Sequence, residues 1–160
     1  MLAVVVPMLN EERGILPTLE ALAAQRDADF DVVFVDNGSV DATVAVVERF
    51  ASQRGLLRWR VIHETQKGTG AAADTGMRAA IAAGADLLAR TDADCLPRED
   101  WTAAVRRALT PRSEGGLGLR LVGGELVPRT SMVSPSTLSV VPPIASGTMG
   151  CFGDGHSGRA

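Results

Sequence analysis

Hydrophobic residues along this chain form continuous runs and helically spaced stripes, in alternation. A β-branched run at Leu2–Val6 predicts a strand that is buried on both faces of a parallel sheet, and Phe30–Val35 predicts a second strand. A third strand, nearer an edge, is predicted at 57–61, where apolar residues alternate with arginine, and a fourth at 86–90. Because Pro7 cannot donate to a strand ladder, we expect the first strand to stop there.

Between the strands, apolar residues recur at helical spacing and predict a helix after each strand. Asn10 and Asp41 are expected to cap the first two helices. The third is an alanine-rich helix at 70–83 that Gly84 ends, and Pro97 is expected at the start of the fourth. This alternation predicts an α/β fold with right-handed crossovers and a mainly parallel sheet.

A polar cluster follows every predicted strand. In parallel sheets of this type, ligands bind outside the carboxyl ends of the strands, so we expect the clusters to meet at one edge of the sheet and form a binding site there. The clusters are Asn10-Glu11, Asp36-Asn37, His63 to Lys67, and Asp92 to Asp94.

Composition narrows the class of protein and of partner. With 160 residues, 46% hydrophobic and 22% charged, the chain is expected to be a soluble globular protein with one core. A net charge of −3 offers no basic surface for nucleic acid or membrane, so a small molecule is the expected partner. Cys95 and Cys151 lack metal-type spacing and fit a reducing compartment. Without a signal-peptide pattern or a long apolar segment, we expect a cytoplasmic protein.

Asp92 and Asp94 stand two residues apart, directly after the fourth predicted strand. In extended chain, residues two apart point the same way. Both carboxylates can therefore reach one hard cation whose other ligands are water and phosphate oxygens, as Mg²⁺ prefers. The pair is a candidate diphosphate clamp, although two acids in a loop are often only solvated.

Other polar residues allow both a structural and a functional interpretation. Asp36 ends the second strand, where acids commonly hold ribose hydroxyls. Lys67 precedes a glycine-rich helix start, where backbone amides and the helix dipole favour an anion, although it could be a solvated charge. Asn10 could serve only as a cap. His63, a lone histidine at a strand end, is given no catalytic role.

Four motifs follow one another along the chain. They are Val4-Val5-Val6-Pro7-Met8-Leu9-Asn10-Glu11-Glu12, Phe34-Val35-Asp36-Asn37-Gly38-Ser39-Val40-Asp41-Ala42-Thr43, Lys67-Gly68 with Gly76, and Asp92-Ala93-Asp94. In this order they resemble family 2 glycosyltransferases, of the nucleotide-diphospho-sugar transferase superfamily, over roughly residues 1–125. The resemblance implies a GT-A fold, a Rossmann-like three-layer sandwich around a mainly parallel sheet.

The resemblance also implies an activity. Family members transfer a sugar from a nucleotide-diphosphate donor to an acceptor, here an unknown sugar, lipid carrier or small molecule, usually with Mg²⁺ or Mn²⁺ and with inversion at the anomeric carbon. Asp92 and Asp94 match the metal-binding Asp-x-Asp. The residues that the resemblance places at the nucleotide and diphosphate are Pro7, Asn10, Glu11, Asp36, Lys67 and Asp92.

The last part of the sequence departs from the family pattern. We expect a donor-binding domain at 1–125 and a shortened or altered acceptor region at 126–160, rich in Ser, Thr, Pro and Gly and weakly packed. The family takes its general base, an acid, from sequence downstream of Asp-x-Asp. Glu125, Asp154 and His156 are the nearby candidates, and none lies in a recognisable motif, so the base is unassigned. Asp74 stands where the family often carries Asn.

Two other functions fit part of the pattern. A non-catalytic nucleotide-sugar-binding module, or a truncated transferase, would keep the donor site and lack the base. An NAD-binding Rossmann oxidoreductase would explain Gly68-Thr69-Gly70-Ala71-Ala72-Ala73, which fits G-x-G-x-x-A. This loop follows the third predicted strand rather than the first, with 64–67 intervening, which argues against a dinucleotide fingerprint.

Overall fold

The computed structural model describes residues 1–110 and 112–115 of the chain. The predicted region 126–160, its boundary and the candidate bases Glu125, Asp154 and His156 lie outside the described residues. In chain order the elements are β1 (Leu2–Met8), α1 (Ile15–Ala23), β2 (Phe30–Asp36), α2 (Thr43–Arg54), β3 (Trp59–His63), α3 (Thr69–Ala82), β4 (Leu87–Arg90), α4 (Trp101–Leu109) and a 3₁₀ turn (Arg112–Glu114).

Four parallel strands form one sheet in the order β3-β2-β1-β4. β1 pairs with β2 along its full length and with β4 as far as Val5, which lies opposite Arg90. β3 lies at one edge, as its alternating pattern predicted. The chain moves from β1 to β2 and β3 on one side and then to β4 on the other, so the strand order reverses at β1. The predicted α/β fold with a parallel sheet is confirmed.

Helices cover both faces of the sheet and make three layers. On one face, α1, α2 and α4 pack a large core that includes Leu19, Phe34 and Val105. On the other face, α3 packs against Val5 and Val35. The crossover from β3 to β4 runs against the direction of the first two, so a right-handed connection puts α3 on the opposite face from α1 and α2.

The approach of α3 to the sheet depends on a glycine. A Cβ atom at Gly76 would lie 2.4 Å from Val5 Cγ1 and 2.7 Å from Val35 Cγ2, closer than side-chain carbons can pack. Because Gly76 has no side chain, the helix backbone settles directly on β1 and β2. This contact sets the distance between the middle of α3 and the sheet.

The prediction that β1 stops at Pro7 is wrong, because the strand continues to Met8. Backbone groups alternate sides along a strand. The Val5 carbonyl accepts the Thr91 N–H on the β4 side at 3.1 Å, and the Met8 carbonyl accepts the Asn37 N–H on the β2 side at 3.0 Å. The Pro7 nitrogen therefore faces β4, whose pairing has ended, and its missing proton leaves the ladder with β2 intact.

Two predicted helix starts are also wrong. α1 begins at Ile15 after Gly14, so Asn10 is not its cap. α4 begins at Trp101 rather than at Pro97, because the segment that follows α1 binds the preceding residues: the Arg26 N–H donates to the Glu99 carbonyl at 2.8 Å. Asp41 lies two residues before the start of α2, whose N-cap position is Ala42 instead of the predicted Asp41; its carboxylate accepts the Thr43 N–H at 3.0 Å.

Candidate functional site

A cleft of about 470 Å³ opens at the carboxyl edge of the sheet, beside the strand at which the order reverses. This is the place where open α/β sheets bind ligands, because the loops from neighbouring strands diverge there. The cleft brings together six of the residues predicted from the sequence. They are Pro7, Asn10, Glu11, Lys67, Asp92 and Asp94.

Asn10 joins the first two loops of this edge. Its backbone has a positive φ of 54°, a left-handed conformation that asparagine tolerates better than most residues. Its side-chain oxygen accepts the Val40 N–H at 2.9 Å, and its own N–H donates to the Ser39 hydroxyl at 2.9 Å. Its role in this structure is therefore to tie the β1–α1 loop to the β2–α2 loop, in place of the helix cap that the sequence predicted.

Asp92 and Asp94 differ in their surroundings. Asp92 lies beside Arg90, which donates from Nη2 at 2.7 Å and from Nε at 3.2 Å to the same carboxylate oxygen, Oδ1. Both side chains of this pair are partly buried, with 22% and 31% of their surface exposed. Asp94 is exposed and lines the cleft. The sequence analysis gave Arg90 no role, although residues two apart on a strand share a face and could have indicated the pair.

Glu11 lies close enough to other carboxylates for their charges to interact. Burial raises the pKa of Glu11 above its ordinary 4.5, and the charges of Asp94 and Asp41 raise it further. The effect of Asp94 on Glu11 means that the two carboxylates share this part of the cleft. A cation placed between them would relieve their repulsion.

Asp36 does not line the cleft. Its side chain is buried at the end of β2, and its oxygens accept the N–H groups of Gly38 at 3.3 Å and Ser39 at 3.2 Å. The ring of His63 lies 3.3 Å from the same carboxylate. Burial opposes ionisation of Asp36, but the hydrogen bonds from Ser39, His63 and Gly38 together outweigh it and lower the pKa. Asp36 therefore holds the turn that leads into the cleft.

Asn37 is a site residue that the sequence analysis left without a role. Its side chain is buried and lines the cleft. Its Nδ2 donates to the carbonyls of Glu64 at 3.0 Å and Gln66 at 2.7 Å, and its Oδ1 accepts the Gly68 N–H at 2.7 Å. The loop that presents Lys67 at the start of α3 is thus held on both sides of the lysine. The long sequence separation of these partners hides the contact from sequence patterns.

Carboxylate oxygens suit Mg²⁺ and Mn²⁺. In the described part of the chain, no three His, Cys, Asp or Glu side chains are arranged to hold a metal ion. Asp94 nevertheless offers an exposed carboxylate in the cleft, near that of Glu11, which fits a cation that completes its shell with water and phosphate. None of the described helices is both long and apolar enough to cross a membrane.

Comparison with known proteins identifies relatives. The sequence profile of "Glycosyl transferase family 2" matches residues 3–122. Glycosyltransferase AglE of Haloferax volcanii is 32% identical over 126 residues, which cover 78% of this chain and 38% of AglE. Dodecaprenyl-phosphate galacturonate synthase of Rhizobium johnstonii is 34% identical over 101 residues, or 58% of this chain and 28% of that protein.

Solved structures agree with the sequence relatives. The mannosyltransferase PcManGT of Pyrobaculum calidifontis, in complex with GDP-Man and Mn²⁺, superposes with a TM-score of 0.59 and 33% identity over 66% of this chain and 31% of that one. S. aureus TarS 1–349 with UDP-GlcNAc has a TM-score of 0.61, with 21% identity over 84% of this chain and 37% of its own, and shows a shared fold.

The present chain spans less than half the length of the curated relatives and solved structures compared above. The match nevertheless includes all four strands, the cleft and the Asp-x-Asp segment. The predicted GT-A fold and family resemblance are confirmed, and the dinucleotide-binding alternative is disfavoured because the Gly68 amide is already bonded to Asn37. The chain belongs to glycosyl transferase family 2.

Proposed function

We propose that the cleft binds a nucleotide-diphospho-sugar and that this protein transfers the sugar to an acceptor with inversion at the anomeric carbon. The observation that carries the proposal is the cleft at the reversal of strand order, which has Lys67 and the start of α3 in one part of its wall and Asp92 and Asp94 in another. Relatives add support, since PcManGT was solved with GDP-Man and Mn²⁺ and TarS with UDP-GlcNAc.

The diphosphate belongs between the start of α3 and the acids. Lys67 is exposed in the cleft two residues before α3, whose first amides and helix dipole favour an anion. A diphosphate there shares the cleft with Asp94. The two anionic groups repel each other unless a cation lies between them, which is why the proposal includes Mg²⁺ or Mn²⁺.

Asp94 is the residue proposed to hold the cation directly. Asp92 already accepts two hydrogen bonds from Arg90 on one oxygen, so it contributes mainly charge and orientation. A bound divalent cation acts as a Lewis acid that stabilises the negative charge of the departing diphosphate. Lys67 contributes a second, fixed positive charge to the same leaving group.

The nucleoside is proposed to lie over the β1–α1 and β2–α2 loops. Pro7, Asn10 and Glu11 line this part of the cleft, and Asp36 and Asn37 hold the loops on which they depend. Direct contact between Asp36 and the ribose or base stays a prediction. The base that takes the acceptor proton stays unassigned, and its candidates Glu125, Asp154 and His156 lie outside the described residues.

A thermal-shift titration of the 160-residue chain tests the proposal. UDP, GDP, UDP-GlcNAc and GDP-Man are each added with and without Mn²⁺, and NAD⁺ serves as the rival ligand. At ~100-fold excess over Kd, a ligand that binds only the native state stabilises it by about 2.7 kcal/mol, which gives a clear shift in Tm. We expect Mn²⁺-dependent shifts with at least one diphosphate and none with NAD⁺. Shifts with NAD⁺ alone would contradict the proposal.

Product analysis separates a transferase from a binding module. If the chain binds a donor, incubation with that donor and Mn²⁺ is expected to release UDP or GDP slowly through hydrolysis, and faster when an acceptor is present. A chain that binds the donor tightly but releases no nucleoside diphosphate with any sugar or lipid-phosphate acceptor would support the non-catalytic alternative.

A further inference from the structure

The segment that carries Asp92 and Asp94 is anchored to helix α1. We call residues 91–100, between β4 and α4, the acid loop. The hydroxyl of Thr18, on α1, lies 2.7 Å from the Ala93 carbonyl oxygen and 2.8 Å from the Cys95 carbonyl oxygen. Thr18 is completely buried, with 0% of its surface exposed. One hydroxyl proton is thus shared between two carbonyls of the acid loop.

The two carbonyls belong to the residues on either side of Asp94. Ala93 and Cys95 are buried, with 4% and 5% of their surface exposed, whereas Asp94 between them is exposed in the cleft. The Thr18 hydroxyl therefore ties the backbone on both sides of Asp94 to α1, while the Asp94 side chain lies in the cleft.

We propose that Thr18 is a positioning residue that fixes Asp94 for the diphosphate-bound cation. The proposal rests on the proposed function, which supplies the cation and the diphosphate. Threonine hydroxyls inside helices usually bond a carbonyl of their own helix. Thr18 bonds the acid loop, 75 and 77 positions away in sequence. Thr18 does not touch the ligand and acts through Asp94.

Thr102 provides a matched control. It is also a fully buried threonine in a helix, and its hydroxyl also contacts two oxygens, Gln25 Oε1 at 3.1 Å and the Asp27 carbonyl at 2.9 Å. Its contacts do not involve the neighbours of Asp94. Replacing either threonine by valine removes a buried hydroxyl of the same kind, so the two variants should lose similar stability.

The experiment compares T18V, T18S and T102V with the parent chain in two measurements. Hydrogen exchange reports the amides of 93–96. Calorimetry gives the Kd for UDP and GDP with and without Mn²⁺, and the ratio of the two constants measures how well the cation connects protein and diphosphate. We expect T18V to speed exchange in 93–96 and to reduce the Mn²⁺-dependent gain in affinity about tenfold, roughly 1.4 kcal/mol. T18S keeps the hydroxyl and should keep the exchange rates and the Mn²⁺-dependent gain close to the parent values. T102V should also leave both quantities near the parent values.

The possible results distinguish a positioning role of Thr18 from a purely structural one. If T18V leaves the exchange of 93–96 unchanged, Thr18 does not fix the loop. If exchange rises but the Mn²⁺-dependent gain matches that of T102V, Thr18 is only structural, and the inference is wrong. If the parent chain shows no Mn²⁺-dependent binding of either diphosphate, the proposed function fails, and with it the role of Thr18 toward a cation, while the exchange measurement still shows whether Thr18 holds the loop.

Discussion

The guanidinium of Arg90 donates two hydrogen bonds to one oxygen of Asp92, from Nη2 at 2.7 Å and from Nε at 3.2 Å. The first acid of the Asp-x-Asp motif therefore has a cationic partner within the chain, and the second faces the cleft. The two carboxylates of the motif are therefore not equivalent, because Asp92 is paired with Arg90 and Asp94 is exposed.

Removal of the Arg90 charge should weaken diphosphate binding without metal and make that binding depend more strongly on Mn²⁺. In Arg90→Leu, Asp92 keeps its charge without a partner, so the cleft becomes more negative. We expect the affinity for UDP or GDP without metal to fall about fivefold and the affinity for Mn²⁺ in the presence of the diphosphate to rise, from a change on the order of 1 kcal/mol. Calorimetric titration measures both constants.

Arg78 supplies the control for this variant. It pairs with Asp74 at 2.7 Å on the exposed face of α3, outside the cleft. Arg78→Leu removes the same charge from the protein and should leave both constants unchanged. Equal effects of the two replacements would show that net charge, and not the pair with Asp92, determines the binding.

Glu11 should make stability depend on pH in a defined direction. Because its pKa in the folded chain is raised, by burial first and then by Asp94 and Asp41, the folded state binds the proton more tightly than the unfolded state. The protonated Glu11 carboxyl therefore stabilises the fold fully below the ordinary pKa of 4.5, and this stabilisation is lost as the pH rises through the raised pKa. Glu11→Gln should therefore gain stability over the parent at pH 7 and little at pH 4.

Urea unfolding at the two pH values checks this, with Glu20→Gln, at an exposed position of α1, as control. Mn²⁺ should reduce the advantage of Glu11→Gln, since a cation near Asp94 favours the ionised carboxylate. A larger gain at pH 4 than at pH 7 would reverse the sign and contradict the assignment.

Gly76→Ala should destabilise the fold, whereas Gly70→Ala in the same helix should not. The new Cβ at 76 would press on Val5 and Val35 in the sheet, and overpacking of this kind costs about 1–3 kcal/mol. At Gly70 no heavy atom lies within 4 Å of an added Cβ, and alanine is the better helix former. The free energies of unfolding in urea provide the comparison. Similar values for the two variants would mean that α3 does not rest on the sheet as described.

Asp36→Ala should weaken the binding of nucleoside and nucleotide alike, with or without Mn²⁺. Asp36 holds the turn at Gly38 and Ser39, which leads into the part of the cleft assigned to the nucleoside. We expect a loss of about tenfold for uridine or guanosine and a similar loss for the matching diphosphate, on the order of 1.4 kcal/mol. Unchanged affinity for the nucleoside in calorimetry would place the nucleoside elsewhere.

Hydrophobic patterning was sufficient to predict the sheet. Continuous apolar runs identified the buried strands, and the rule that ligands bind at carboxyl ends predicted that distant residues such as Lys67 and Asp94 would meet, as they do in one cleft. These features follow from periodicity and connection rules, which operate locally along the chain.

Contacts between loops could not be predicted in the same way. The bonds of Thr18 to Ala93 and of Asn37 to Gln66 join residues far apart in sequence, and nothing in the local pattern specifies the partner. The errors at Pro7 and Pro97 have a related cause. Each prediction applied a rule about proline to the local sequence alone. In both cases the backbone hydrogen bonds made by neighbouring segments determined where the strand ended or the helix began.

In the proposed function, Asp94 connects the protein to a metal-bound diphosphate. Calorimetric titration of UDP and GDP into the parent chain, Asp94→Ala and Asp92→Ala, with and without Mn²⁺, tests this role. We predict that Asp94→Ala removes the Mn²⁺-dependent part of the affinity and keeps the fold, because an exposed loop acid contributes little to the core. Asp92→Ala should retain part of that dependence. Unchanged Mn²⁺-dependent binding in Asp94→Ala would contradict the account.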